Sequence, residues 1–191
     1  MNSYYTYDEI AKIGLKEVGE DVSISKKCSI YGAKNISIGN NVRIDDFCIL
    51  SGNITIGNYV HIGAYSGLFA GDAGIVFEDF SSLSSKVSLY AVSDDYGGDF
   101  MTNPTVPAKF KNEIKGTIRL CRHTIIGASS VILPGVTLSA GTAIGALSLV
   151  LKSTLPWSIY AGSPAKKIRE RSKLLLEKES ILGMEKEAID E

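Results

Sequence analysis

The chain has 191 residues, 45% of them hydrophobic, and its 20 Lys and Arg residues nearly balance its 21 Asp and Glu residues. This length and composition predict one well-buried domain, and the balanced charge argues against nucleic acid or an anionic membrane as the main partner. The opening residues 1–14 are polar and acidic, and no apolar run approaches the ~18 residues of a membrane helix. We therefore expect no integral membrane segment, no signal peptide and a cytoplasmic location.

Residues 1–17 are predicted to form an N-terminal cap. Ile10, Ile13 and Leu15 stand among Asp, Glu and Lys residues, which indicates a short helix or helical turn with one apolar side. A solenoid needs such a cap because its first coil would otherwise expose a bare end.

Residues 18–160 carry an aliphatic or aromatic anchor at nearly every sixth position. The anchors are Val18, Ile24, Ile30, Ile38, Ile44, Leu50, Ile56, Ile62, Leu68, Phe77, Leu83, Leu89, Leu120, Ile126, Ile132, Leu138, Ile144 and Val150. This period is typical of parallel β-helices, in which each repeat forms one short strand. A small or β-branched residue four positions after most anchors can point inward as well, because side chains in a strand alternate. The pattern predicts an all-β fold with three faces to each coil.

Two irregularities interrupt the repeat. The step from Ile56 to Phe77 is 21 residues instead of 18, which predicts a small bulge near residues 71–74. Residues 93–116 contain a Gly pair, two Pro residues and mixed charge, so they are predicted to leave the coils as a projecting loop. Loops of that length inside a compact domain are usually functional.

Residues 161–191 are predicted to be a C-terminal segment followed by a helix. The repeat ends after Pro156, and residues 169–187 have an amphipathic helical pattern with apolar positions at Leu174, Leu175, Ile181 and Leu182. We expect this helix to pack on the coils and not to bind a partner.

The final coils carry the most specific motif of the chain. In residues 125–169 the order is IGA, LPGV, a second IGA, a Lys and AGSPA followed by basic residues. This order resembles the hexapeptide-repeat acyltransferases, in the galactoside, maltose and xenobiotic acetyltransferase branch, and is closest to their polysaccharide O-acetyltransferase relatives. The resemblance implies a left-handed parallel β-helix, a homotrimer with active sites between subunits, and acetyl-CoA as co-substrate.

The resemblance also implies which residues bind the co-substrate. Ala128 and Ala146, in the two IGA turns, are expected to offer backbone groups to the amide arm of coenzyme A. Lys152, Lys166 and Arg169 fall where the family has basic residues near the phosphates, and cations suit phosphates. No metal is expected, because the three Cys residues lack ligand spacing.

The general base is harder to assign. Family members of the galactoside and maltose branch begin the projecting loop with a catalytic His, and this chain has about Asp94 at that position. Only His61 and His123 remain. His61 is predicted to be the base, because the repeat places it on the same edge as Ile125, two coils away, where the branch has an active-site Trp. His123 is expected to be a solvated turn residue.

The loop and its surroundings supply the remaining candidates. Asp94 and Asp95 are predicted to orient His61, to bind sugar hydroxyls, or simply to begin the loop. Tyr65, Tyr96 and Asn103 are predicted substrate contacts.

The functional hypothesis is an acetyl-CoA-dependent O-acetyltransferase that acts on a saccharide hydroxyl in surface polysaccharide biosynthesis, such as O-antigen or capsule. One alternative is N-acetylation of an amino-sugar nucleotide, in which the amine is the nucleophile and needs less help from a base. A non-catalytic β-solenoid scaffold is the alternative from another class. A carbonic anhydrase, which also uses this fold, needs three His ligands for zinc, and one chain with two His residues cannot supply them.

Overall fold

The computed structural model of the chain describes residues 3–190, and the side chains of residues 3–184. Its helices are α1, Tyr7–Ile13, and α2, Leu175–Asp190, with short 3-10 turns at Ala33–Asn35 and Ala108–Phe110. The strands in chain order are β1 Glu17–Val18, β2 Ser23–Ile24, β3 Ser29–Tyr31, β4 Ile36–Ile38, β5 Arg43–Ile44, β6 Ile49–Ile56, β7 His61–Ile62, β8 Gly67–Phe77, β9 Ser82–Leu83, β10 Ser88–Tyr90, β11 Val92–Asp94, β12 Glu113–Lys115, β13 Ile118–Leu120, β14 Ile125–Ile126, β15 Val131–Ile132, β16 Thr137–Leu138, β17 Ala143–Ile144, β18 Leu149–Val150, β19 Ser158–Ala161 and β20 Lys166–Glu170.

The strands of successive coils stack in parallel to form three faces. Face 1 is β2, β5, β7, β9, β14, β17 and β19. Face 2 is β3, the first part of β6, the first part of β8, β10, β15 and β18. Face 3 is β1, β4, the ends of β6 and β8, β13 and β16. These parallel ladders confirm the predicted β-helix.

The predicted anchors form the core of the coils. Ile44, Ile62 and Leu83 lie opposite one another on face 1, and each has at most 1% of its surface exposed. The positions four residues later also point inward, since Cys48 and Val87 are fully buried. Each six-residue repeat therefore directs two side chains inward, as the alternation of side chains along a strand requires.

The predicted bulge takes the form of a continuous strand. β6 and β8 run without a break from face 2 to face 3, with small register shifts between them. At the corner Gly52 lies opposite Gly71, and a Cβ on Gly52 would come within 2.4 Å of the Gly71 backbone. Gly52 also has a φ of 97°, so this close crossing needs glycine for both reasons.

The N-terminal segment contains the expected helix. Thr6 and Glu9 form a reciprocal capping box at the start of α1, and Ile10 is 4% exposed. The apolar side of α1 thus joins the core at the first coil.

The loop and the C-terminal segment depart from the simplest expectation. β11 and β12 pair in antiparallel fashion, so the base of the projecting loop is a two-stranded ribbon. β20 folds back antiparallel on β19, and α2 begins only at Leu175, six residues later than the helical pattern starts. The prediction of a helix over residues 169–174 was wrong, because backbone pairing with β19 determines the conformation of the first of these residues. Neither described helix is long and apolar enough to cross a membrane.

Candidate active site

The edge between face 1 and face 2, here called the 1/2 edge, is built from small residues over its C-terminal coils. Its first turn position is held in successive coils by Gly63, Ser84, Gly127, Gly145 and Ala161. The coils approach so closely that a Cβ on Gly127 would lie 2.4 Å from the Ala146 nitrogen. This edge therefore presents backbone with little side-chain cover, which suits a ligand with an extended amide chain.

Most of the predicted co-substrate residues lie on this side of the molecule. Ala128 and Ala146 follow the glycines of the 1/2 edge, and Lys166 lies opposite Ala161 in the β19–β20 pair. Arg169 lies opposite Ile159, on face 1. Lys152 is different, because it follows β18 at the edge between face 2 and face 3. Within one chain Lys152 is therefore apart from the other four.

The loop holds its polar residues through local hydrogen bonds. Asp94 Oδ2 accepts a bond of 3.2 Å from the Asn103 backbone, and Asp95 Oδ1 accepts one of 2.7 Å from the Gly97 backbone. The Tyr96 side chain is 90% exposed. The structure thus brings Asp94, Asp95, Tyr96 and Asn103 together at the edge between face 2 and face 3.

A cavity lies beneath the loop, next to these residues. Its volume is about 510 Å³, and its walls are mainly apolar. The lining residues are Tyr90, Ser93, Tyr96, Ile114, Val131, Leu133, Pro134 and Leu151. The cavity is large enough for a small acyl group, and its walls include Ser93 and Tyr96, which flank Asp94 and Asp95 in the sequence.

His61 lies on face 1, as the repeat predicted. His61 pairs with Ser82, and Ser82 pairs with Ile125, so the three form one column. The His61 ring donates from Nε2 to Asp45 Oδ2 at 2.8 Å, and Arg43 Nε donates to the other Asp45 oxygen at 2.7 Å. Burial alone would raise the pKa of the Asp45 carboxyl, but the hydrogen bonds from His61 and Arg43 outweigh it and lower that pKa.

The structure corrects the expected partner of His61. Asp94 and Asp95 belong to the loop, across face 2 from the His61 column, so neither orients His61 within its own chain. Asp45 does so instead. Asp45 was not predicted from the sequence. The available signal was its position directly after Ile44, at the first turn position of the coil that precedes His61.

His123 contradicts the expectation of a solvated residue. It is 8% exposed, and its ring stacks on Phe80 with centroids 5.2 Å apart. Its Nε2 lies 2.7 Å from Glu179 Oε2 of α2, so His123 holds this helix on the coils. Burial lowers the pKa of the His123 imidazole, as do the charges of Arg122 and Arg171.

The last predicted substrate residue, Tyr65, lies on the 1/2 edge and stacks on Phe47. Within residues 3–190, no group of three His, Cys, Asp or Glu side chains is arranged to hold a metal ion.

Comparisons with known proteins agree with this architecture. Residues 35–70 match the family described as Bacterial transferase hexapeptide (six repeats). The chain is 46% identical over 182 residues to a dTDP-4-amino-4,6-dideoxy-D-glucose acyltransferase of Escherichia coli, and the match covers 94% of both proteins. The chain belongs to the hexapeptide-repeat acyltransferases. The predicted left-handed parallel β-helix and the predicted acyltransferase class are thereby confirmed.

This acyltransferase is also similar to AntD, an N-acyltransferase from Bacillus cereus solved in complex with dTDP and 3-hydroxybutyryl-CoA. The TM-score is 0.96 and the identity 48%, over 98% of this chain and 100% of AntD. Other AntD structures carry substitutions of an aspartate at its position 94 or a serine at its position 84. A putative lipopolysaccharide biosynthesis O-acetyl transferase, WbbJ of Escherichia coli K12, is 26% identical over 74% of this chain and 72% of WbbJ.

These relatives shift the functional hypothesis. The two that match nearly the whole chain are an acyltransferase of an amino-sugar nucleotide and an N-acyltransferase, whereas the O-acetyl transferase is the more distant one. The comparisons therefore favour the N-acyl alternative over O-acetylation of a polysaccharide.

Proposed function

We propose that the chain transfers an acyl group from an acyl-CoA to the amine of an amino-sugar nucleotide of the dTDP-4-amino-4,6-dideoxyglucose class. The observation that carries this proposal is the match to the Escherichia coli acyltransferase over 94% of both chains. The residue at the start of the loop supports it independently. Asp94 stands where O-acetyltransferases of the resembled branch have a His, and an amine nucleophile needs less help from a base than a hydroxyl does.

The reaction requires few groups. The amine nitrogen attacks the thioester carbonyl carbon, the carbon–sulfur bond breaks, and the products are an amide and the free thiol of coenzyme A. One proton must leave the amine and one must reach the thiol sulfur. Asp94 is our candidate for binding the amine and taking its proton. This chain has aspartate at 94 and serine at 84, the residue types altered at those numbers in AntD.

Ser84 was not predicted from the sequence. It occupies the turn position at which neighbouring coils have Gly63 and Gly127, and that replacement was the available signal. Coenzyme A extended along the 1/2 edge from Lys166 would pass Gly145 and Gly127, which leave room for it, and would then meet the Ser84 hydroxyl. We infer that the thioester lies beside Ser84.

We infer from the same positions that the active sites lie between subunits, and a homotrimer is the assembly that the family resemblance implies. Ser84 lies on the 1/2 edge and Asp94 at the far side of face 2, and the extended segment 86–91 between them spans roughly 17 Å. One active site that contains both side chains therefore needs two chains. Mixing Ser84→Ala and Asp94→Asn subunits should restore part of the activity that each variant lacks alone, whereas no recovery would contradict a shared site.

The acceptor is tested with a matched panel. The enzyme is incubated with acetyl-CoA or 3-hydroxybutyryl-CoA and with dTDP-4-amino-4,6-dideoxyglucose, its 4-hydroxyl counterpart or a UDP-linked amino sugar, and the products are separated by mass spectrometry. We expect amide formation with the dTDP amino sugar and none with the 4-hydroxyl sugar. Turnover of hydroxyl sugars alone would restore the O-acetyltransferase hypothesis. The His61 hypothesis is tested separately by the rate of His61→Ala.

A further inference from the structure

The N-terminal coils of the 1/2 edge carry a pair of exposed aromatic rings. Phe47 and Tyr65 occupy the same turn position in adjacent coils, and their centroids are 4.8 Å apart with the planes inclined by 24°. Phe47 is 45% exposed and Tyr65 is 58% exposed. Stacking fixes both rings in one orientation, so the pair presents a preformed flat apolar surface to solvent.

Lysines flank this pair along the same edge. Lys27 Nζ lies 5.2 Å from the centroid of Phe47 and 2.8 Å from Asp46 Oδ2, so its charge is already paired. Lys86 occupies the turn position of the next coil after Tyr65, where its backbone nitrogen donates to Ala64 oxygen at 2.9 Å. Lys86 is exposed, and among the described side chains it has no ion-pair partner. It is therefore free to bind an anion.

The position of the pair relates it to the active site. The small residues at which we place the donor lie on the C-terminal side of Ser84, and the aromatic pair lies on its N-terminal side. Phe47 is two coils from Ser84, or roughly 10 Å along the axis. A nucleotide sugar extended along this edge would reach from the rings to Ser84.

We propose that Tyr65, supported by Phe47, stacks on the nucleobase of the acceptor and that Lys86 binds its diphosphate. This inference rests on the proposed function and names the part of the acceptor that each residue recognises. Aromatic side chains bind the face of a base, and cations bind phosphate oxygens. Recognition on this edge leaves the amino sugar to approach the thioester beside Ser84.

The test compares variants by calorimetric titration with dTDP and by steady-state kinetics. The main variant is Tyr65→Asn, because Tyr65 has a φ of 63° and Asn tolerates this left-handed conformation better than Ala. Tyr65→Phe keeps the ring, Lys86→Met removes the charge, and Tyr7→Ala alters an exposed tyrosine of α1 as a control. Melting temperatures verify that each variant is folded.

We expect Tyr65→Asn to weaken dTDP binding and to raise the KM for the sugar nucleotide, each by about tenfold, with the KM for acyl-CoA unchanged. Lys86→Met should weaken dTDP binding and reduce its dependence on salt. Tyr7→Ala should match the wild type, whereas Tyr65→Phe, which keeps the ring, should bind dTDP more tightly than Tyr65→Asn does. Binding of dTDP to Tyr65→Asn within twofold of wild type would overturn the inference, even if the amino-sugar nucleotide is a substrate. If no amino-sugar nucleotide is acylated but dTDP binding is lost in Tyr65→Asn, the proposed function fails and the nucleotide site stands.

Discussion

Gly127→Ala tests whether the close contact between coils at the 1/2 edge is also the surface that binds the donor. The added Cβ would lie 2.4 Å from the Ala146 nitrogen and 2.7 Å from the Gly145 carbonyl carbon. Ordinary contacts begin at 3.4 Å, so the two coils would have to separate by about 1 Å. Both neighbours are backbone atoms, which cannot rotate away.

Overpacking of this kind costs about 1–3 kcal/mol. For a chain of this length each kcal/mol lowers the melting temperature by about 2–4 °C, so we expect a decrease of roughly 2–12 °C at constant protein concentration. The distorted edge should also raise the KM for acyl-CoA more than the KM for the acceptor. Calorimetry and initial rates at varied acyl-CoA measure the two effects.

Two other glycines provide matched controls. A Cβ on Gly145 would lie 2.9 Å from the Ala161 methyl group, so Gly145→Ala should have a smaller effect of the same sign. A Cβ on Gly183, in α2, meets nothing within 4 Å, and Gly183→Ala should stabilise that helix by about 1 kcal/mol. If Gly127→Ala melts at or above the wild-type temperature and keeps its KM for acyl-CoA, our account of this edge is refuted.

Three further predictions concern side-chain substitutions. Lys166→Ala combined with Arg169→Ala should raise the KM for acyl-CoA about tenfold, because each phosphate contact is a charge-assisted hydrogen bond. A larger increase in the KM for the acceptor would contradict the placement of acyl-CoA at these residues. Asp94→Asn should lower kcat at least tenfold, and His61→Ala should lower it less, because we assign the amine proton to Asp94. The opposite order of the two kcat values would make His61 the base. Burial and two neighbouring arginines lower the pKa of His123 from 6.5, so the unfolded chain takes up the proton first. The neutral His123 side chain therefore contributes its full stabilisation above about pH 6.5, and this contribution shrinks as the pH falls. In urea unfolding, the midpoint of His123→Gln should decrease less between neutral and acid pH than the wild-type midpoint does.

The repeat predicted the fold because its information is local and recurs in every coil. The anchors at Ile44, Ile62 and Leu83 each direct a side chain inward, and parallel pairing of such strands leaves one arrangement that buries them all. The same register placed His61 and Ile125 in one column. It also located the projecting loop, since residues 93–116 have no anchors.

The partners of the polar side chains depended on the tertiary structure. The pairing of Asp45 with His61, and of His123 with Glu179, joins residues far apart in sequence, and no periodicity records which outward side chains meet. Positions outside the core are also free to vary without loss of the coils, so the repeat shows that Ser84 replaces a glycine but not that this serine has a role. The sequence therefore determined the coils and the order of residues along each edge, whereas the folded chain decided which polar groups contact one another, because those contacts run across coils.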